Sequence, residues 1–359
     1  MRRSLILLFC SLLPDLAAAH SVSEEVGAGT SQATPRFPRS SFIYDRVGGL
    51  VEASEDWSFQ LAATLTHEQP IAPPRGARFA TSPANVLFLE GGVEWNPNAH
   101  LLFGGELNYS PSSSFSTNAR VTYNDAGGNP DTSALLVATS SSVGMLLNAA
   151  YETNGDSNFE TGILGSVSLT DLRTTQAIDA IETTTGPVTA AQLLDRCARQ
   201  PANVGCKQIV PALESRSADL LQCRLSAGVV ETLFTNNEVG LDAAVYLYNQ
   251  DPTQVGYFSV ATAGKTATSF GSGVALAPLR YTLRPQLARQ WGKLRLELWY
   301  QYARYVDGEG YANLLGVKVA YRFNSTFRIW AAASGQQDVA PHNDVNSSGT
   351  LALGLRFHF

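Results

Sequence analysis

The chain has 359 residues, of which 44% are hydrophobic and 16% charged, and it carries a formal net charge of −6 at pH 7. That acidic balance excludes nucleic acid as a partner, because phosphate backbones are met by basic surfaces. A mean hydropathy of −0.05 is that of an ordinary soluble protein, yet it does not exclude a sheet whose two faces meet different surroundings, since alternating residues average out.

Residues 1–19 open with Arg2 and Arg3, run through an apolar stretch from Leu5 to Leu13, and reach Ala17, Ala18 and Ala19 before His20. A basic start, a short apolar core and small residues at its end predict a secretory signal peptide removed on export. No later stretch has the roughly 18 consecutive apolar residues of a membrane helix. Residues 20–56 mix Ser, Thr, Gly, Pro and charge without sustained alternation, and are expected to form a periplasmic tail or a plug. From Trp57 the pattern changes. Trp57, Phe59, Leu61, Ala63 and Leu65 alternate with Ser58, Gln60, Ala62, Thr64 and Thr66, which predicts a strand with one apolar face.

Similar stretches recur at 84–95, 100–109, 142–152, 158–170, 224–234, 239–249, 275–291, 293–306, 311–323, 326–334 and 350–359. Together they predict an all-β chain of about twelve antiparallel strands over residues 57–359. The links between them fall into two sets. Short turns rich in Asn, Gly and Ser follow every second strand, at 96–99, 154–157, 236–238, 292 and 324–325. The others are long, at 67–83, 110–141, 171–223, 250–274 and 335–349, with 307–310 the exception. Strict sorting of short and long links, with both chain ends on the short side, is the arrangement of an up-and-down barrel. An even strand number closes such a sheet and satisfies every backbone group, which lipid demands. Aromatic residues such as Trp57, Trp95, Tyr109, Tyr151, Trp291, Tyr300, Tyr302 and Tyr321 fall near the expected strand ends, where interfacial girdles belong.

Within 171–223 the period becomes helical. Residues 190–197 and 211–222 have helical composition, and Thr189 and Pro211 are suitable helix starts. A helical hairpin is expected, on the extracellular side or folded into the barrel mouth. Cys197, Cys206 and Cys223 are its disulfide candidates, with all pairings open. Their spacing and the lack of histidine in this stretch argue against a metal site.

The last stretch, Thr350–Phe359, sets Leu351, Leu353, Leu355, Phe357 and Phe359 against Thr350, Ala352, Gly354, Arg356 and His358. It resembles the closing strand of Gram-negative outer-membrane β-barrels, which ends on an aromatic residue after alternating apolar ones. The resemblance implies a transmembrane antiparallel barrel in the bacterial outer membrane, among outer-membrane lipids and lipopolysaccharide. It also implies insertion by the barrel-assembly machinery, with Leu351, Leu353, Leu355, Phe357 and Phe359 as the assembly signal, and no cofactor. A plug at 20–56 would be similar to the hatch of fatty-acid channels, although their hatch motif and longer barrel are not evident.

With the apolar set outward, Glu90, Glu94, Glu106, Glu160 and Asp242 point inward from the earlier strands. Arg280, Arg284, Lys293, Arg295, Lys318, Arg322, Arg328 and Arg356 point inward from the later ones. Opposed acidic and basic walls orient polar solutes in a wet lumen or pair off in a closed one. The expected function is a narrow porin-like channel for small polar or anionic solutes. The alternatives are a sealed barrel acting through its long loops and, less favoured, an outer-membrane hydrolase, for which no nucleophile and base fall at a suitable spacing.

Overall fold

The computed structural model describes residues 19–31, 39–72, 79–122, 131–153, 159–183, 185–213, 215–234, 236–250, 252, 279–306, 310–339 and 345–359. The signal peptide expected at 1–19 lies almost wholly outside them. The strands are β1 (Ala19–Ser31), β2 (Arg39–Glu52), β3 (Trp57–Ala72), β4 (Ala84–Asn98), β5 (Leu101–Thr122), β6 (Asp131–Glu152), β7 (Phe159–Thr183), β8 (Gly186–Thr189), β9 (Arg216–Leu233), β10 (Asn237–Tyr248), β11 (Leu279–Trp291), β12 (Leu294–Tyr305), β13 (Tyr311–Arg322), β14 (Phe327–Val339) and β15 (Val345–His358). Two helices, α1 (Ala190–Arg199) and α2 (Val204–Leu213), lie between β8 and β9.

Each strand pairs antiparallel with its neighbours, β6 pairs with β7, β7 with β9, and β1 with β15, so the sheet closes on itself. The small β8 pairs only with the upper end of β7, which leaves fourteen strands in the ring. The expected barrel is therefore present, with one strand pair more than the twelve expected. That pair comes from residues 20–56. Of these, the described residues 20–31 and 39–52 form β1 and β2 in the wall, not a periplasmic tail or a plug.

Their alternation was hard to see for a physical reason. In β2 the aromatic Phe42 and Tyr44 face inward, where the β1 glycines Gly29 and Gly27 make room for their rings: a Cβ on Gly27 would lie 2.2 Å from the Tyr44 ring. On the outward face Glu24 and Asp45 interrupt the apolar set. Aromatic rings inside and single charges outside thus blur the alternation that marks the remaining strands.

Outward positions elsewhere are apolar and exposed. Leu107, Leu147, Ile163, Leu241, Leu287, Leu315, Leu351 and Leu353 all take lipid-facing positions and are more than 45% exposed. At the short-turn end, Trp57, Trp95 and Phe103 stack across β3–β5, and Phe323, Phe327 and Phe357 across the turn and strands of β13–β15. At the other end Tyr281 meets Tyr302 at a tilt and Tyr302 stacks on Tyr311, across β11–β13. These are the two aromatic girdles expected of a membrane barrel. Arg289, which breaks the inward parity of its strand's other arginines, lies outward with its guanidinium 5.0 Å from the Trp291 ring, at the lower girdle. The turn from β11 to β12 is tight, and Gly292 takes a φ of 57° there, a conformation that favours glycine.

Strands β5, β6, β7 and β9 run well past the girdle. Residues expected as loop at 110–122, 131–141, 171–183 and 216–223 continue the ladders. Above the lipid no apolar face is needed, so Ser- and Thr-rich segments pair without alternation. Asp171, Arg173 and Asp219 cluster on the outer face at this level, with Arg173 within 3.3 Å of Asp171 and 3.9 Å of Asp219.

The helical hairpin sits on this extension. Thr189 caps α1 in a reciprocal box with Gln192, as its composition predicts. The second helix starts at Val204, where Asn203 accepts from Gly205 and Cys206, and not at Pro211, which falls in its last turn; residues 216–222 are strand. Leu193, Cys197, Cys206, Ile209 and Leu213 pack with Ala134 and Leu136 of β6 and Ile178 and Ile181 of β7. Cys197 and Cys206 form the disulfide. Cys223 takes no part in it: it lies in β9 opposite Leu169 and Leu247, on the outward face.

Candidate functional site

A closed wall leaves two surfaces for chemistry, the lumen and the mouth. The register fixes which side chains share the lumen, because pairing carries one face from strand to strand. Starting from Trp330, whose indole reaches Glu25 across the barrel seam, the inward set includes Arg46, Glu90, Glu94, Glu106, Glu160, Asp242, Arg284, Arg295, Lys318, Arg322, Arg328 and Arg356. Arg280 belongs to the same face at the long-loop end of β11 and is exposed. Lys293 does not line the wall: it lies in the β11–β12 turn and donates from Nζ to the Phe323 carbonyl at 2.6 Å.

Several of these charges compensate one another. Arg46 reaches over β3 to Glu90 at 2.8 Å. Arg295 donates both terminal nitrogens to Glu238, at 2.8 and 2.7 Å, and its Nε to Glu297 at 2.7 Å. Arg224 lies 3.8 Å from Asp242. Arg284 stands 5.5 Å above the Trp299 ring and Lys318 5.3 Å above that of Trp330. Both indoles cross glycines on the next strand, Gly316 for Trp299 and Gly354 for Trp330, where a Cβ would lie 2.1 Å from the ring. Gly92 and Gly104 do the same for the amides of Gln60 and Asn148, so their purpose is clearance for lumen side chains.

The remaining charges are sorted by wall. Glu94, Glu106 and Glu160 stand on β4, β5 and β7; Glu94 takes a 3.3 Å hydrogen bond from Ser58, and Glu160 is exposed near the short-turn end. Arg322, Arg328 and Arg356 stand side by side on β13, β14 and β15, Arg322 paired with Arg328 and Arg328 with Arg356. In the ring β14 lies seven strands from β6 in either direction. The acidic and basic arcs therefore face each other across the bore. Although it points inward, the Arg46 side chain is 45% exposed, so water reaches the lumen at that level.

The mouth carries the second surface. Ala134 and Leu136 share the even-numbered face of β6 with the lumen-lining Gly144 and Asn148, and the hairpin covers that face. Of the two placements open from composition, the helices take the one that leans over the mouth. At the same end, Tyr305 and Gln336 both donate to the buried Asp338, at 2.7 and 2.8 Å.

The sequence reading missed Glu25, Tyr44 and Arg46, all within the segment read as tail or plug, and also Arg224 and Glu238 on β9 and β10. Trp299 and Trp330 carried a signal, since each shares the parity of inward arginines on its own strand. The terminal-strand residues Leu351, Leu353, Leu355, Phe357 and Phe359 all take the outward side.

No protein-family description and no curated protein matches the chain. Solved structures do. The CymD monoaromatic hydrocarbon channel is 11% identical with a TM-score of 0.58, covering 98% of this chain and 92% of that one. A Pseudomonas aeruginosa FadL homologue is 12% identical with a TM-score of 0.57, covering 95% and 90%. The Ralstonia pickettii toluene transporter TbuX is 11% identical with a TM-score of 0.55, covering 96% and 90%. At these identities the likeness establishes the fold: the chain is built as an outer-membrane β-barrel.

Proposed function

We propose that the protein is an outer-membrane channel that lets small polar solutes diffuse through its lumen, with a preference for anions. The observation that carries this reading is a closed, lipid-compatible wall around a bore lined by charged and amide side chains, with inward Arg46 open to solvent. Known channels of this architecture support the transport part. Those named for monoaromatic hydrocarbons and toluene move apolar molecules, whereas the bore here presents carboxylates on one side and guanidinium groups on the other. Such a transverse field favours polar and charged solutes over hydrocarbons.

A sealed barrel is the second reading, favoured by the Arg46–Glu90 and Arg295–Glu238 pairs, which reach across the lumen face. Single-channel recording of the refolded protein in a planar bilayer separates the two. Steady conductance with a reversal potential on the anion side is expected. Replacing residues 185–213 by a short turn, which removes the hairpin from the mouth, is expected to raise it. Silence from both forms would sink the channel and leave the sealed barrel.

A further inference from the structure

Among the described lumen charges, three arginines stand side by side with neither a carboxylate nor an aromatic ring against them. Arg322, Arg328 and Arg356 occupy directly paired positions on three adjacent strands. Opposed residues of antiparallel strands hold their Cβ atoms about 5 Å apart, and like charges placed so repel. Elsewhere in this lumen the same problem is solved internally: Arg46, Arg224 and Arg295 each have a carboxylate within 4 Å. Among the described residues no carboxylate lies that close to any of the three.

The neighbourhood adds a fourth cation and holds it still. Trp330 is the next inward residue above Arg328 on β14. Its Nε1 donates to Glu25 at 2.8 Å, and Glu25 also accepts from the Tyr44 hydroxyl at 2.8 Å. Gly354 receives one side of the ring, and Lys318 stands over the ring at 5.3 Å. The nearby carboxylates are thereby engaged elsewhere: Glu25 by two neutral donors, and Glu297, opposite Lys318, by the Nε of Arg295 at 2.7 Å.

Resting on the channel reading above, we infer that this row is a binding site for a small multivalent oxyanion, such as phosphate or a di- or tricarboxylate, near the short-turn end of the lumen. Guanidinium groups present paired donors that match carboxylate and phosphate oxygens. Three in a row, with a lysine above them, can share out more than one negative charge. A monovalent anion offers each arginine too little to offset their mutual repulsion, so charge number is the selecting property. Arg322 and Arg328 lie within two residues of the short turn between β13 and β14. The site therefore meets solute at the end opposite the hairpin.

The test is equilibrium binding to the full-length protein refolded in detergent, read by calorimetry and by tryptophan fluorescence. Inorganic phosphate and citrate are titrated against acetate and chloride as monovalent controls. Saturable binding of phosphate or citrate is expected, weakening as sodium chloride is raised. The single variant Arg328→Gln should bind roughly tenfold or more weakly, as loss of a charged hydrogen-bond partner predicts. Arg46→Gln, at a compensated pair elsewhere in the lumen, should bind as the parent does. Should Arg328→Gln fail to fold, phosphate must still raise the urea midpoint of the parent protein more than sodium chloride does at equal ionic strength. Equal binding of acetate and citrate, or an Arg328→Gln variant that binds like the parent, overturns the site. Steady conductance without multivalent binding would reject this site and retain the channel; binding without conductance would do the reverse.

Discussion

Trp330 is held by three different contacts, and each makes a demand on a different strand. Its ring needs the bare backbone of Gly354, its Nε1 needs Glu25, and its face supports Lys318. Gly354→Ala would put a methyl group 2.1 Å from the indole and drive the ring off Glu25. Overpacking of this kind costs about 1–3 kcal/mol. The expected result is a lower urea midpoint with unchanged strand content by circular dichroism, and an unshifted midpoint would mean the ring does not lie there. Many inward charges of β4 to β15 were legible because a strand's period of two survives any error in its ends, though Arg224 and Glu238 were passed over and Lys293 belongs to a turn. Glu25 and Arg46 were not legible, because Phe42 and Tyr44 reverse the polarity of the face they share with Arg46.

The hairpin behaves as a small soluble unit attached to a membrane wall. Its apolar contacts, through Leu193, Ile209 and Leu213, are made to the inner face of the β6–β7 extension, and its own helices are joined by Cys197–Cys206. Closing a short loop by a disulfide stabilises by about 2–4 kcal/mol. The double variant Cys197→Ser with Cys206→Ser is expected to leave the barrel intact and expose the hairpin. Limited proteolysis should then cut within 185–213 at protease levels the parent resists, while the barrel fragment still migrates as folded without boiling. Resistance equal to the parent would show that packing alone holds the hairpin. Helical composition and Thr189 announced this element in the sequence. The tall strands beneath it were not announced, since Ser110, Ser113, Ser140, Thr174 and their neighbours pair through backbone groups that any residue supplies.

At the scale of the whole molecule the inside and the outside are assigned by register alone, and charge substitution tests the assignment directly. Leu353 faces lipid and is 68% exposed. An arginine on that face costs about 2–4 kcal/mol near the middle of the bilayer. Gln60, exposed on the lumen face, should accept an arginine with little change. Unfolding in lipid vesicles is expected to separate Leu353→Arg from Gln60→Arg by that margin; equal stability of the two variants would overturn the assignment. The even count and loop sorting were visible early because they follow from closing a sheet in lipid. The exact count was not, because Phe42 and Tyr44 turn inward on β2 while Glu24 and Asp45 break the outward apolar set of β1 and β2.

The seam between β1 and β15 has a kinetic meaning as well. Glu25 and Trp330 are 305 residues apart in the chain, and the ladder between β1 and β15 closes the ring only once every strand between them has been placed. Loop-closure entropy makes such a contact the most expensive to establish early. Each other strand pair in the ring joins segments adjacent or nearly adjacent in sequence, so the sheet can grow one hairpin at a time while its two edges stay unpaired. Annealing those edges is then the step that turns a ribbon prone to aggregation into a sealed cylinder, and the Glu25–Trp330 bond is a clasp across the last gap to shut.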